Sequence, residues 1–243
     1  MTTSISVALC THNGASYLGE QLRSILEQTV PPTQIVLSDD ASTDDTVDLA
    51  RSLMEDFSRE HPTARLEFIL MEKEKPLGVT KNFEQAVRAC DGDLIALCDQ
   101  DDLWRSDRLE RMSAEFERRP DLTLLHSDAR LVDSAGNPLG GSLMETLGVS
   151  RTDALWIHSG DAFRVLLKRN VVTGATLMFR KGLLNHAIPF FEPWVHDEWL
   201  AMLASIVGVV DFLPEQLVDY RQHGQNQIGA EKLTLRGKVR KLR

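Results

Sequence analysis

The chain lacks the marks of several large functional classes. No Gly-x-Gly-x-x-Gly follows its first apolar run, and it holds no Gly-Lys-Ser/Thr phosphate loop, which argues against dinucleotide binding and ATP hydrolysis. No apolar run approaches the ~20 residues needed to span a bilayer, and no opening segment joins a basic start to a signal-length apolar run. Positive charge is scarce: 27 Lys and Arg against 36 Asp and Glu leave a net charge of -9, which argues against a nucleic-acid partner. Cys10, Cys90 and Cys98 are an odd number without metal-type spacing and read as reduced core thiols. The expectation is a soluble, cytoplasmic protein. With no internal repeat, low-complexity tract or clear linker, 243 residues fit one large α/β domain, or a domain with an appendage, and a sizeable core.

What basic charge there is clusters at one end. Lys232 to Arg243 holds six Lys or Arg and no acid, so the rest of the chain carries about -15. Such a tail suits either an anionic lipid surface, as a peripheral contact at the inner face of a membrane, or plain solvation as a helix end.

Strand and helix patterns alternate along the first half. Ile5–Cys10 is an apolar strand running into Thr11-His12-Asn13-Gly14, and Leu18, Leu22, Ile25 and Leu26 then recur at helical spacing up to Pro31-Pro32. Gln34–Ser38 repeats the pattern, with Asp39-Asp40 at its end and Ser42 with Asp45 as a capping box for a helix bearing Val47, Ala50, Met54 and Phe57. Arg65–Met71 reads as a third strand, and Val79, Phe83, Ala86, Val87 and Cys90 mark the next helix face. These units imply a mostly parallel sheet with helices on both faces.

The fourth strand, Leu94–Cys98, is apolar throughout and delivers Asp99, Asp101 and Asp102 to its carboxyl end. In open α/β sheets that edge is where ligands sit. Three acids so close call for a positive charge between them, and a divalent cation suits hard carboxylate oxygens. The structural alternative is an acidic turn leading into a helix that begins near Ser106, with Asp102 and Asp107 favouring its N-terminus. Beyond Trp104 come a helix with Leu109, Met112 and Phe116, a strand over Leu122–His126 and hairpin-tip chemistry at Asp133–Pro138. From Leu139 to about Asp161 no period dominates, and the segment reads as a mobile loop. Asp161–Lys168 and His196–Val207 read as helices, and Ala175–Phe179, Val209–Phe212 and Leu217–Arg221 as strands.

Several polar clusters thus gather at one sheet edge, and with them a resemblance. Ile5–Asn13, Ser38–Thr46, Asp99-Gln100-Asp101-Asp102-Leu103-Trp104, His196-Asp197-Glu198-Trp199 and Tyr220-Arg221-Gln222-His223-Gly224 together resemble the family 2 glycosyltransferases of GT-A fold, in particular bacterial rhamnosyltransferase-like members of cell-surface polysaccharide synthesis. The resemblance covers nearly the whole chain in the expected order. It implies a domain over residues 1–230, with a nucleotide-sugar half at 1–104 and an acceptor and catalytic half at 105–230, followed by the basic tail at 231–243. It also implies sugar transfer, usually with inversion, from a nucleotide-diphosphate donor, TDP- or UDP-linked, to a glycan or lipid-linked acceptor.

Carried over residue by residue, the resemblance places Thr11, His12 and Asn13 in the nucleotide pocket, His12 standing where relatives often have Tyr. Asp39 would hydrogen-bond the base, Lys81 would contact the nucleotide where relatives carry Arg, and Asp99 would lie at the ribose and the metal. Asp101 would be the principal ligand of Mg²⁺ or Mn²⁺, with His223 approaching the metal or diphosphate. Asp197 matches the general base, and His196 precedes it where an acid is common. The chemistry fits: a metal stabilises charge on the departing diphosphate, and a carboxylate on the other face takes the acceptor proton. Trp199 reads as core, Trp194 as core or acceptor platform, and Asp40 as a holder of loop backbone. Two other functions share these features, a sugar nucleotidyltransferase and a catalytically silent sugar-nucleotide or glycan-binding module. The first usually needs a Gly-rich, Arg-containing loop that Thr11–Gly14 does not provide, and intact Asp99, Asp101, Asp197 and His223 argue against the second.

Overall fold

The computed structural model describes residues 3–223; the basic tail and the proposed membrane contact lie outside them, as does Gly224. In chain order the elements are β1 (Ile5–Thr11), α1 (Ala15–Leu26), β2 (Gln34–Asp39), α2 (Thr46–Glu60), β3 (Glu67–Glu72), α3 (Val79–Ala89), β4 (Leu94–Asp99) and the two-residue β5 (Leu103–Trp104). There follow α4 (Arg108–Arg118), β6 (Leu122–Val132), β7 (Pro138–Ser142), α5 (Leu143–Thr146), α6 (Arg151–His158) and α7 (Ala162–Leu166). A 3₁₀ turn at Gly174–Thr176 leads to β8 (Leu177–Arg180), another at Lys181–Leu183 to α8 (Leu184–Ala187), and the last elements are α9 (His196–Val207) and β9 (Val209–Arg221).

All the described strands form one sheet, in the order β3-β2-β1-β4-β8-β6-β9-β5, with β7 paired to β6. The pairings β3-β2, β2-β1, β1-β4 and β6-β9 are parallel, and those that place β8, β5 and β7 are antiparallel. The carboxyl ends of β1, β2, β4, β6 and β9 therefore share one edge.

Two hydrophobic cores lie on the two faces, and the period-2 alternation of the strands assigns residues to each. Ile5, Val7 and Leu9 of β1 join Leu18, Leu22 and Ile25 of α1 and Leu109, Met112 and Phe116 of α4. Ala8 and Cys10 face the other way, toward Phe83 and Val87 of α3 and Leu200, Ala201 and Ala204 of α9. A strand buried on both faces can be apolar at every position, which is why β4 reads as an unbroken run. The three cysteines are free and buried, as expected of core thiols. No helix among the described residues is long and apolar enough to cross a membrane.

Some expectations are corrected. The segment 139–161 is β7, α5 and α6 rather than a mobile loop. Ser142 with Glu145 and Ser150 with Asp153 form reciprocal capping boxes, and elements of four to eight residues are too short to establish a period. The capping box expected of Ser42 and Asp45 is absent: α2 begins after Asp45 without a side-chain cap, and the Ser42 hydroxyl donates to Asp39 instead. The two strands expected over residues 209–221 are a single strand, β9, whose register against β6 shifts around Pro214-Glu215. Pro214 has no N–H for the ladder, so the pattern breaks in sequence while the strand continues.

Gly92 marks a point where the backbones nearly touch. A Cβ there would lie 2.6 Å from the Ser6 backbone nitrogen, and the Gly92 N–H donates to the Ser6 hydroxyl. Gly92→Ala should lower unfolding stability by about 1–3 kcal/mol, the usual penalty of overpacking. Urea unfolding followed by far-UV circular dichroism checks this, the midpoint falling with an unchanged slope.

Candidate active site

The shared strand edge opens into a cleft of about 330 Å³. β1 supplies Thr11, and the turn after it supplies His12 and Asn13. That turn is held by side chains. Gln100, beyond β4, accepts from the His12 backbone N–H at 2.8 Å and donates to its carbonyl at 3.1 Å, so one amide clamps one peptide. Gly14 makes room for the clamp, since a Cβ there would lie 2.1 Å from the Gln100 carbonyl oxygen. Asn13 sits at φ +50°, its N–H donating to Ser42 Oγ and its side-chain oxygen accepting from the Thr43 N–H, the kind of local bonding that lets Asn hold a left-handed conformation.

β2 ends in two acids with different work. Asp39 accepts from Thr11 Oγ1 at 2.7 Å and from the Ser42 N–H at 2.8 Å; it is buried behind the cleft wall rather than lining it. Asp40 lines the cleft, yet its carboxylate accepts the N–H groups of Leu77 at 2.6 Å and Gly78 at 2.9 Å. It thereby fixes the entry to α3, while its own carbonyl lies 2.7 Å from His12 Nδ1. Lys81 is ion-paired with Glu84 at 2.9 Å and Glu192 at 3.7 Å, and is not among the lining residues.

β4 brings Asp99, Gln100 and Asp101 to the cleft floor. Burial, then the charges of Asp101 and Asp197, raise Asp99 to about 7. Asp102, turned inward, is pushed well above the usual carboxylate range by burial and by Asp101 and Asp99. Two arginines absent from the sequence-based site oppose this charge. The Arg221 backbone N–H donates to Asp102 Oδ1 at 2.9 Å and its Nε to the Asp101 carbonyl at 2.7 Å. Arg108 is fully buried, lies 3.7 Å from the Trp104 ring centroid and donates to the Ala175 carbonyl at 3.0 Å. Burial lowers Arg108 to about 10, against the upward pull of Cys98 and Asp102. The sequence signal for Arg221 lay within Tyr-Arg-Gln-His-Gly; Arg108, at the start of an ordinary amphipathic helix, gave none.

From the far side come Asp101's partner and the candidate base. His223 Nε2 lies 2.7 Å from Asp101 Oδ2, and its ring stacks on Tyr17 with centroids 4.8 Å apart. Among the described residues no three His, Cys, Asp or Glu converge as a metal cage. Asp101 and His223 still form a two-donor set, and Mg²⁺-type sites commonly take one or two protein ligands and complete the shell with phosphate oxygens and water. The residues present thus fit a substrate-shared cation.

Asp197 stands in the first turn of α9. It accepts from the Gly174 N–H at 3.0 Å, the Glu198 N–H at 2.6 Å and Asn170 Nδ2 at 3.3 Å. Those amides favour its charged form, but burial outweighs them and raises it to about 6. Beside it His196 is 3% exposed, stacked on Phe83 at 4.0 Å, and depressed to about 3 by burial, so its ring is neutral. Trp199 donates its indole N–H to the Ala187 carbonyl and packs against the core, with Trp194 edge-on at 6.0 Å. The structure brings together Thr11, His12, Asn13, Asp99, Asp101, Asp197 and His223 around one cleft and leaves Asp39 and Lys81 outside its lining.

The family described as Glycosyl transferase family 2 matches residues 6–186. Over 245 residues the chain is 28% identical to the dTDP-rhamnosyl transferase RfbG of Shigella flexneri, covering 96% of this chain and 78% of that one. Over 133 residues, 55% of the chain, it is 32% identical to the chondroitin synthase of Escherichia coli, of which this covers 18%. Among solved structures, the mannosyltransferase PcManGT of Pyrobaculum calidifontis, in complex with GDP-Man and Mn²⁺, aligns over 93% of this chain and 59% of its own, with a TM-score of 0.69 at 19% identity. TarS of S. aureus, in complex with UDP-GlcNAc, aligns over 92% of this chain and 60% of its own, with a TM-score of 0.67 at 19% identity. The chain spans about 60% of the length of these solved chains, and the likeness shows that its fold is GT-A.

The Asp40 anchor yields a test independent of catalysis. Asp40→Ala leaves the Leu77 and Gly78 amides without their carboxylate, and hydrogen bonds to charged groups contribute about 1.5–3 kcal/mol. Those two amides should exchange with deuterium roughly tenfold faster or more. Amides in β1 and β4 serve as the unchanged control in the same hydrogen-exchange experiment.

Proposed function

We propose that this chain, which belongs to glycosyl transferase family 2, transfers a sugar with inversion from a nucleotide-diphosphate donor to a hydroxyl of a glycan or lipid-linked glycan in polysaccharide synthesis. One observation carries the reading. A buried carboxylate raised to about 6, Asp197, lines the same cleft as the Asp101–His223 pair. The two ends of a displacement, a place for the diphosphate and a base for the incoming hydroxyl, face one enclosed space.

In this reading Thr11, His12 and Asn13 border the nucleotide. Asp101 and His223, with Asp99 beside them, would hold a divalent cation, Mg²⁺ or Mn²⁺, which when bound supplies Lewis-acid stabilisation of charge on the departing diphosphate. Asp197 accepts the acceptor proton as the hydroxyl oxygen bonds to the anomeric carbon and the bond to phosphate breaks, and a single displacement inverts that carbon. The Gly174 and Glu198 N–H groups keep the carboxylate aimed and ready to ionise. The donors supporting the reading are those of similar proteins, with the rhamnosyl transferase likeness favouring a TDP-linked sugar and TarS keeping UDP-linked sugars in view. Residues 1–104 would form the nucleotide-sugar half and 105–230 the acceptor half. Asp39 would act from behind, setting Thr11 and the Ser42 loop that border the base.

The experiment is calorimetric titration with UDP and TDP in Mn²⁺, Mg²⁺ or EDTA, alongside Asp101→Ala. Metal-dependent binding of one diphosphate is expected, weakened at least tenfold in the variant. Binding unaffected by EDTA and by the substitution would sink the metal assignment. Turnover tests the base. Asp197→Asn should cut kcat by roughly 10²–10⁴ while diphosphate binding persists. Because Asp197 must be ionised to accept a proton, wild-type kcat/KM should fall about tenfold per unit as pH drops below about 6 and level off above it. Full activity in Asp197→Asn would remove the assigned base, and a wild-type chain that binds diphosphate but transfers no sugar would favour a silent binding module.

A further inference from the structure

The helix that carries Asp197 lacks a polar outer face. After Glu198, α9 holds no charged residue and a single hydroxyl, that of Ser205. Leu200, Ala201 and Ala204 turn into the core, while Met202 is half-buried and Ile206, on the same side as Met202, is 60% exposed. A helix apolar all round ordinarily has something covering every side. The neighbouring helices continue the uncovered surface. α6 packs on α7, and α7 and α8 pack on α9, all over the same hydrophobic core. Of the eight large apolar side chains exposed among the described residues, six belong to these helices or to the loop entering α9: Leu155, Phe163, Leu167, Phe191, Ile206 and Val207. Such a concentration marks an interaction surface, where scattered exposure would not.

Charge identifies what the surface meets. From Ala162 to Phe191 there are five Lys and Arg and no Asp or Glu, in a chain of net charge -9. Two of these cations are engaged within the fold: Arg169 pairs with Asp153 at 2.8 Å, and Arg180 donates to the Leu122 and Phe116 carbonyls at 2.7 Å. Arg164, Lys168 and Lys181 are exposed. Phe163 with Leu167 and Arg164 with Lys168 share the helical spacing of neighbours, so an apolar and a basic row run side by side at α7. We infer that this surface seats on an anionic lipid bilayer, its apolar side chains entering the headgroup boundary and its cations meeting lipid phosphates. A second copy of the chain fits less well. A two-fold contact through this face would set Arg164 and Lys168 against an identical segment with no acid to pair them. The inference extends the reading of a lipid-linked acceptor. Asp197 lies in the first turn of α9 and Ile206 in its last, about 14 Å apart along the axis, so an acceptor held in that bilayer stands within one helix length of the base.

The test is flotation of the full chain, without nucleotide or metal, on vesicles of equimolar phosphatidylcholine and phosphatidylglycerol and on vesicles of phosphatidylcholine alone. The wild type should float with the anionic vesicles and stay behind with the neutral ones. Arg164→Gln with Lys168→Gln, and separately Leu167→Ser with Ile206→Ser, should each weaken binding roughly tenfold or more, the scale of two cations or two apolar side chains at an interface. All four side chains are exposed, so both variants should keep the thermal midpoint and the UDP and TDP affinities of the wild type. A wild type that floats with neither vesicle, or equally with both, overturns the inference. So do surface variants that float as the wild type does; loss of flotation in Lys238→Glu with Arg240→Glu would then assign the contact to the basic tail. Light scattering that shows a dimer, dissociated by Leu167→Ser with Ile206→Ser, would make the face a self-interface and overturn the inference too. Vesicle binding needs no donor, so a chain that binds no nucleotide would sink the donor reading and leave this one standing.

Discussion

The rest of the site depends on like charge held at close quarters. Asp99, Asp101, Asp102 and Asp197 gather at one sheet edge, three of them less than a tenth exposed. Two charges 4 Å apart interact by about 4 kcal/mol at the effective dielectric typical of proteins. The consequences are visible in the neighbours: Asp99 is raised to about 7, Asp102 rises well above the ordinary range, and the Tyr220 hydroxyl is pushed up by burial and the same acids. What keeps the edge from flying apart is backbone geometry, with buried strands fixing the acids, together with Arg221 and Arg108. Arg108 is a costly solution. A cation in the first turn of a helix opposes the helix dipole, and full burial strips its water, yet it sits beneath the acids where its charge is needed.

How much of this was legible in the sequence depends on length and on which side of a strand a residue falls. β1, β2 and β4 could be read because burial on both faces makes an unbroken apolar run, and the residue after the run marks the edge. α9 was read with its bounds because twelve residues suffice for a helical period. β5, α5 and α8 could not be, since two to four residues carry no period, and their placement is dictated by partners far along the chain. Tertiary contacts of that kind override local propensity.

Within the site, residue type proved easier to read than direction. Asp39 and Asp40 are adjacent, and alternation along the chain turns them to different tasks: one carboxylate braces the end of β1, the other the entrance to α3. Nothing in the pair Asp-Asp says which is which. Gln100 makes the same point, for its amide reaches back to the backbone of the turn after β1, a contact invisible to spacing. Arg221 is the converse, a residue within a recognisable motif whose contacts lie with the acids' backbone and with Glu20.

The irregularity in β9 has a metric meaning. Between Ser127 and Val132, β6 advances five residues while its neighbour advances eight, from Leu213 to Arg221. At a rise of about 3.3 Å per residue the three additional residues represent roughly 10 Å of chain. They are taken up between Leu213 and Val218, and the ladder then runs in continuous register to Arg221, two residues short of the His223 that stands against Asp101. The bulge thus absorbs a mismatch of length between two strands that stay paired on both sides of it. Because Leu217, Val218 and Tyr220 on its far side are buried in the core, adding or removing a single residue there would turn those side chains to the opposite face, so this length can change only together with the packing.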